Sequence, residues 1–133
     1  MLTISQIYLD EMIAHAIREY PLEACGLISG RGDQVKGFYK TRNDAASARI
    51  YTVNPLDHLR ADRDAEANGN SIIGVMHSHT HSDAYPSPTD VAQAPDPGWH
   101  YVLVSLKYKD PVLRSFCIVN GNIEEESVVR LNC

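Results

Sequence analysis

The chain has 133 residues, 44% of them hydrophobic and 22% charged, a size and balance that suit one buried core and leave no room for two ordinary domains. Twelve basic against 17 acidic residues give a formal net charge of −5, and the basic ones are scattered, which argues against nucleic acid or an anionic membrane as the main partner. No apolar run reaches the roughly 18 residues of a membrane span, and the first twenty residues carry Asp and Glu inside their apolar pattern, so a single cytoplasmic domain over residues 1–133 is expected.

After an extended start at Leu2–Ile4, the apolar positions Leu9, Met12, Ile13, Ala16, Ile17 and Tyr20 trace the stripe of an amphipathic helix, which Pro21 ends. Residues 24–29 (ACGLIS) then read as a short apolar strand, closed by Gly30-Arg31-Gly32-Asp33 and returning through an extended segment at Val35–Tyr39. Asn54-Pro55 pairs a helix cap with a proline at the first helical position, predicting a half-exposed helix to Ala67. Residues 71–77 (SIIGVMH) read as a buried strand running out into a polar loop, and Ser87-Pro88-Thr89-Asp90 starts a third, shorter helix. Tyr101–Leu106 and Val112–Val119 are predicted strands, and Asn120-Gly121 is a strong hairpin signal joining the second of them to Ile123–Val129. The sum is about three helices and six or seven strands, an α/β chain of α+β type with helices packed on a curved mixed sheet.

Cys25, Cys117 and Cys133 are odd in number and widely spaced, which fits neither a disulfide framework nor a paired-cysteine metal site. Cys25 and Cys117 sit in apolar runs and read as small buried hydrophobes, and Cys133 as an exposed terminal residue.

The chemistry is concentrated after the fourth strand. His77 and His79 are two apart, so in extended backbone both imidazoles point to one face and can reach one ion. A catalytic zinc takes three protein ligands and leaves a position open, and Asp90 can fold back across the intervening loop as the third. Each piece has an ordinary explanation alone: His-x-His in a polar loop is commonly solvated, and Ser87 and Asp90 are already accounted for as a helix cap.

The whole ordered pattern, H-S-H-x7-S-x2-D with Glu23 some fifty residues upstream at the mouth of an apolar strand, resembles the signature of the JAMM (MPN+) metalloproteases. The resemblance runs over nearly the whole chain: PLEACGL at 21–27, HSHTHSDAYPSPTDV at 77–91, HYVLVSL at 100–106 and LRSFCIVNGNIEEESV at 113–128 are similar to the small bacterial Mec-type branch. That resemblance implies a single MPN/JAB domain. It implies zinc held by His77, His79 and Asp90, Glu23 handling the proton of the attacking water, and Ser87 donating to the carbonyl oxygen as it gains charge. It also implies, as partner, a ubiquitin-like sulfur-carrier protein ending in Gly-Gly, from which a C-terminal cysteine is released for cysteine biosynthesis. Ser78 is expected to face away and serve structurally, and His81 and Asp83 to be exposed loop residues. His15 and His58 are expected to be structural or solvated, while His100 begins a strand whose distance from the site the sequence does not fix. Two other functions stay open: an isopeptidase acting on lysine-linked modifiers, and a non-catalytic MPN scaffold.

Overall fold

The computed structural model describes residues 1–94 and 96–131. Cys133 therefore lies outside the described residues. The elements run β1 (Leu2–Ser5), α1 (Gln6–Glu19), β2 (Cys25–Arg31), β3 (Gln34–Thr41), α2 (Pro55–Ala67), β4 (Ser71–His79), α3 (Pro88–Ala92), β5 (His100–Ser105), β6 (Val112–Val119), β7 (Asn122–Glu126) and β8 (Val128–Leu131).

The strands form one mixed sheet in the order β7-β6-β5-β4-β2-β3-β1-β8. Pairs β1–β3, β1–β8 and β4–β5 are parallel and the others antiparallel. The two edge strands, β7 and β8, are consecutive in the chain and separated by Ser127 alone, so the sheet curls until its edges nearly meet. The expected single strand Ile123–Val129 is thus corrected to two. Its first part pairs with β6 through Asn122–Glu126, and its second pairs with β1, where Leu2 N–H also donates to the Ser127 carbonyl at 2.9 Å. No Gly or Pro stands at the junction, only Ser127, so composition alone carries no clear mark of the change of partner.

Apolar side chains pack on both faces of the sheet. On one face, α1 buries Met12 and Ala16 over Ile4, Ile28, Met76, Val102 and Val104. The helix stripe differs from expectation at its end: Ile17 and Tyr20 are exposed, while His15 takes the inward place and Nε2 of its ring donates to the Cys25 carbonyl at 2.9 Å. The other face gathers Cys25, Leu27, Val75, Tyr101, Leu103 and Phe116, with Ala61 of α2 packed against them. Asn54 caps α2 by accepting from the N–H groups of Leu56 and Asp57, and the helix is half-exposed as its thin stripe predicts. Gly74 lets β4 and β5 lie close, since a Cβ there would stand 2.3 Å from the His100 carbonyl oxygen. Asn120 and Gly121 both adopt positive φ, the pairing required by a two-residue hairpin turn.

His100, at the head of β5, fastens the curl. Its Nδ1 lies 2.5 Å from Glu126 Oε2 and its Nε2 3.1 Å from Asp33 Oδ1, tying β5 to β7 and to the β2–β3 turn. Glu126 also accepts from Ser115 Oγ at 2.7 Å and faces the Met1 amino group at 3.0 Å. With a carboxylate on each ring nitrogen, the imidazolium is favoured, and the Glu126 hydrogen bond raises the His100 pKa above its ordinary value. Burial pushes Glu126 upward, yet His100, Ser115 and the amino group more than offset this and bring it down to about 2. The carboxylate's contribution to stability is present above about pH 4.5 and lost as pH falls toward 2. The imidazolium's is complete below about pH 6.5 and lost as pH rises through its elevated value. These are two views of one interaction and do not add. Glu126→Gln is therefore expected to cost about 2 kcal/mol between pH 4.5 and 6.5, with the deficit shrinking on either side. Thermal melts of both proteins across pH 3–9 check this; a deficit that does not vary with pH would refute it.

Among the described residues, no helix is long and apolar enough to cross a membrane.

Candidate active site

The site is built on the end of β4. The strand continues two residues beyond its expected end, because His77 and Ser78 pair with Leu103 and Val104 of β5 and His79 with Ser105. Strand alternation puts Val75, His77 and His79 on the face that carries Leu27 and Leu103, and Met76 and Ser78 on the other. Tyr51, from the segment between β3 and α2, stacks on the His77 ring with centroids 4.2 Å apart. Asp90 comes in from α3, where it forms a capping box with Ser87: Ser87 N–H donates to Asp90 Oδ2 at 2.9 Å and Asp90 N–H to Ser87 Oγ at 3.1 Å.

Three ligand-type atoms converge. His77 Nε2 and His79 Nε2 are 3.3 Å apart, and Asp90 Oδ2 lies 3.1 Å from the first and 3.0 Å from the second. Bonds of about 2.0–2.1 Å to a tetrahedral centre give ligand–ligand edges of about 3.3 Å, so the triangle has the size of one face of a zinc polyhedron. The protonation pattern points the same way. His79 Nδ1 is 2.8 Å from the Asp83 carbonyl and must donate to it, which leaves the Nε2 lone pair of the neutral ring aimed at a carboxylate oxygen. Three ligand-type atoms around one centre suit positive charge there, and a divalent metal would meet all three at once. His77, His79 and Asp90 are each buried, and the donor set fits a metal.

Burial lowers the His77 pKa against the pull of Asp90 and so favours the neutral ring, the form that could ligate a metal. At His79 burial also acts downward, but Asp90 and the Asp83 carbonyl prevail and raise it. Burial of Asp90 is overcome by His77, His79 and the Ser87 N–H, which hold its carboxyl well below the usual carboxylate range.

Glu23 sits just before β2 and is buried. Desolvation raises its carboxyl to about 7, with His79 pulling down and Asp90 pushing up. It shares a cavity of about 440 Å³ with His79, Ser87, Arg49, Thr80 and His81. Its backbone is held on both sides, by its own N–H donating to the Ser47 carbonyl at 2.8 Å and by Asn43 Nδ2 donating to its carbonyl at 3.0 Å.

The sequence-predicted residues Glu23, His77, His79, Ser87 and Asp90 are thus brought together. Ser78 faces away from His77 and His79, and its Oγ accepts the Ala24 N–H at 2.7 Å while its own N–H donates to the Ala24 carbonyl at 3.0 Å. It thereby fixes the start of β2 next to Glu23. Ser78→Ala leaves a buried N–H without its partner and is expected to cost about 1–3 kcal/mol with metal stoichiometry intact. Denaturant melts beside metal analysis test this, and an unchanged midpoint would refute it.

His81 and Asp83 are exposed, as predicted, although the main chain of Asp83 orients His79. His58 lies 3.5 Å from Asp62 one helical turn on and is not one of the three converging side chains. Cys25 is buried against Thr41 with its thiol pushed up to about 11, an inert core residue; Cys117 is only half-buried. In a second group of ligand-type side chains, His100, Cys117 and Glu126, the histidine and the glutamate belong to the ion-pair network that closes the sheet.

Sequence reasoning missed Asn43 and Tyr51. Asn43 holds Glu23 and also spans its own loop, its Oδ1 accepting from Ala45 and Thr52 and its Nδ2 donating to Ile50. The only signal was an Asn-Asp pair that reads equally as a turn.

A buried His-His-carboxylate triad with a raised carboxyl beside it, on a curled mixed sheet, defines a metallohydrolase-type domain. A sequence model described as prokaryotic homologs of the JAB domain matches residues 5–119, and the chain belongs to that family. It is 38% identical to the CysO-cysteine peptidase of Mycobacterium tuberculosis, over 96% of this chain and 90% of the relative. It is 32% identical to a desampylase of Haloferax volcanii over 72% of this chain and 74% of the relative. Among solved structures, a protein of Desulfitobacterium hafniense superposes with a TM-score of 0.90 at 35% identity, covering 98% of this chain and 93% of that one.

Proposed function

We propose that this protein is a zinc metallopeptidase that hydrolyses the amide bond between the C-terminal glycine of a ubiquitin-like sulfur-carrier protein and an appended cysteine, releasing free cysteine. The observation that carries the reading is the 3.0–3.3 Å triangle of His77, His79 and Asp90 beside Glu23, a buried carboxyl in the same cavity as His79 and Ser87. The mycobacterial relative, whose name joins CysO to cysteine, supports the substrate class, and the match covers nearly both chains.

His77, His79 and Asp90 would hold the metal, and two imidazoles with one carboxylate suit zinc in a site that keeps a position open. When bound, the metal supplies Lewis acidity, polarising the scissile carbonyl and acidifying water. Glu23 takes one proton from the attacking water as its oxygen bonds to the glycine carbonyl carbon, then returns that proton to the departing amine as the C–N bond breaks. Burial raises the Glu23 carboxyl, which makes it a better proton acceptor than a solvated carboxylate. Ser87 Oγ spends a lone pair on the Asp90 N–H, which leaves its proton free to donate to the carbonyl oxygen as negative charge builds there. A Gly-Gly tail brings no side chains to obstruct its approach to the buried triad. The cytoplasm is the compartment this reading assigns, where the thiols of Cys25 and Cys117 stay reduced.

The test is a recombinant ubiquitin-like carrier ending in Gly-Gly and extended by one encoded cysteine. Incubation with the zinc-loaded protein should remove one cysteine residue by mass, and an intact substrate at high enzyme concentration would reject the proposal. The desampylase relative favours a second reading, release of a carrier from lysine. Faster cleavage of a lysine-linked carrier than of the cysteine adduct would reverse the order.

A further inference from the structure

We infer that Arg49 recognises the free α-carboxylate of the leaving residue, which makes the site selective for a single amino acid at a C-terminus over internal or lysine-linked bonds. The inference rests on the peptidase reading above and adds to it the basis of leaving-group choice.

Arg49 lines the same cavity as Glu23, His79 and Ser87. Its place is fixed by the backbone. Ser47, two residues before it, accepts the Glu23 N–H through its carbonyl and the Arg49 N–H through its Oγ at 3.0 Å. Ala48, one residue before it, accepts the Thr80 hydroxyl at 3.2 Å. The segment carrying Arg49 is therefore tied to Glu23 on one side and to the residue after His79 on the other. Glu23 is the group that returns a proton to the departing amine, so the leaving residue lies on its side of the cavity. In a C-terminal amino acid the carboxylate carbon is only about 2.5 Å from that amine nitrogen, so the anion must sit in the same corner.

Charge decides what that corner accepts. The carboxylates of Glu23 and Asp90 would together offset the charge of a divalent metal held there, which leaves no net positive charge to draw in a third carboxylate. Arg42 and Arg114 are engaged by Asp57 and Glu125. The Arg49 guanidinium has no ion pair among the described residues. Of the two histidines that also line the cavity, His79 faces Asp90 at 3.0 Å, and His81 is already held by the Thr80 hydroxyl at 2.9 Å and the Tyr20 hydroxyl at 3.3 Å. A planar guanidinium also matches a carboxylate with two parallel hydrogen bonds. A lysine-linked substrate offers no carboxylate beside the scissile nitrogen and gains nothing from Arg49.

The experiment compares two forms of the Gly-Gly-Cys carrier, one ending in the free carboxylate and one in the cysteine carboxamide, with the full zinc-loaded chain. Wild type should prefer the acid by about ten- to a hundredfold in kcat/KM, the range for a hydrogen bond to a charged group. In Arg49→Ala and Arg49→Gln that ratio should collapse toward one, mainly through KM, while Arg49→Lys keeps part of it. Binding of the two forms to Glu23→Gln, followed by calorimetry, should show the same ordering without turnover. Equal use of acid and amide by wild type, or a preference that survives in Arg49→Ala, overturns the inference while leaving the peptidase reading intact. Cleavage of neither form overturns the peptidase reading and the inference with it.

Discussion

Glu23→Gln is expected to lower kcat by about two to four orders of magnitude, the range for loss of a positioned general acid–base group, with zinc content unchanged. The substitution preserves size and shape in a site whose backbone is fixed by Ser47, Asn43 and the Ser78–Ala24 bonds, so geometry is not what is lost. It should also stabilise the metal-free protein. Glu23 is buried, its Oε1 has no hydrogen-bond partner among the described residues, and desolvation raises its carboxyl to about 7. A folded-state pKa above the unfolded one means stability that is complete below about pH 4.5 and lost as pH rises through about 7. The wild type thus bears a penalty on the order of 2 kcal/mol at pH 8, which a neutral amide avoids. Melting in the presence of chelator should place Glu23→Gln above wild type at pH 8 and level with it at pH 4. Retained turnover would remove Glu23 from the mechanism. A Gln variant less stable than wild type at pH 8 would mean that the carboxylate is compensated in a way the structure lacks.

Local signals in the sequence were sufficient where the physics is local. The Asn54-Pro55 cap placed α2 at its observed bounds, Asn120-Gly121 marked a hairpin that forms with both residues at positive φ, and the two-residue spacing of His77 and His79 put both rings on one sheet face. Long-range pairing was not legible in the same way. Nothing around Ser127 distinguishes a strand that continues from one that changes partner, because both halves need only extended backbone, and the choice is made by β1 more than a hundred residues away. The loop between β3 and α2 is the other case. Asn43, Ser47 and Tyr51 are ordinary loop residues by type, and they matter because the fold returns them to Glu23 and His77. The proposed ligands follow a pattern of spacing, whereas the residues that hold them still follow the tertiary structure.

Asp90 is where the proposed metal can be tested against the cap, because one oxygen would serve both. Oδ2 faces His77 at 3.1 Å and His79 at 3.0 Å while accepting the Ser87 N–H at 2.9 Å. Asp90→Ala removes the ligand, the reciprocal cap and the negative charge in the first turn of α3, so it is expected to weaken zinc binding by at least about a hundredfold and to cost the metal-free protein about 1 kcal/mol. Asp90→Asn divides the two effects. Its amide oxygen can still accept from Ser87, preserving much of the cap, but a neutral amide is a poor third ligand for zinc. Zinc competition against a chromophoric chelator should therefore rank both variants far below wild type, while melts in excess chelator should place Asn near wild type and Ala below it. Wild-type zinc affinity in Asp90→Ala would mean that Asp90 is only a cap. The opposite pattern, full stability in both variants with zinc lost from both, would mean that α3 is held in place by its packing, with Val91 and Ala94 against the core, and that the capping box contributes little beyond aiming the carboxylate.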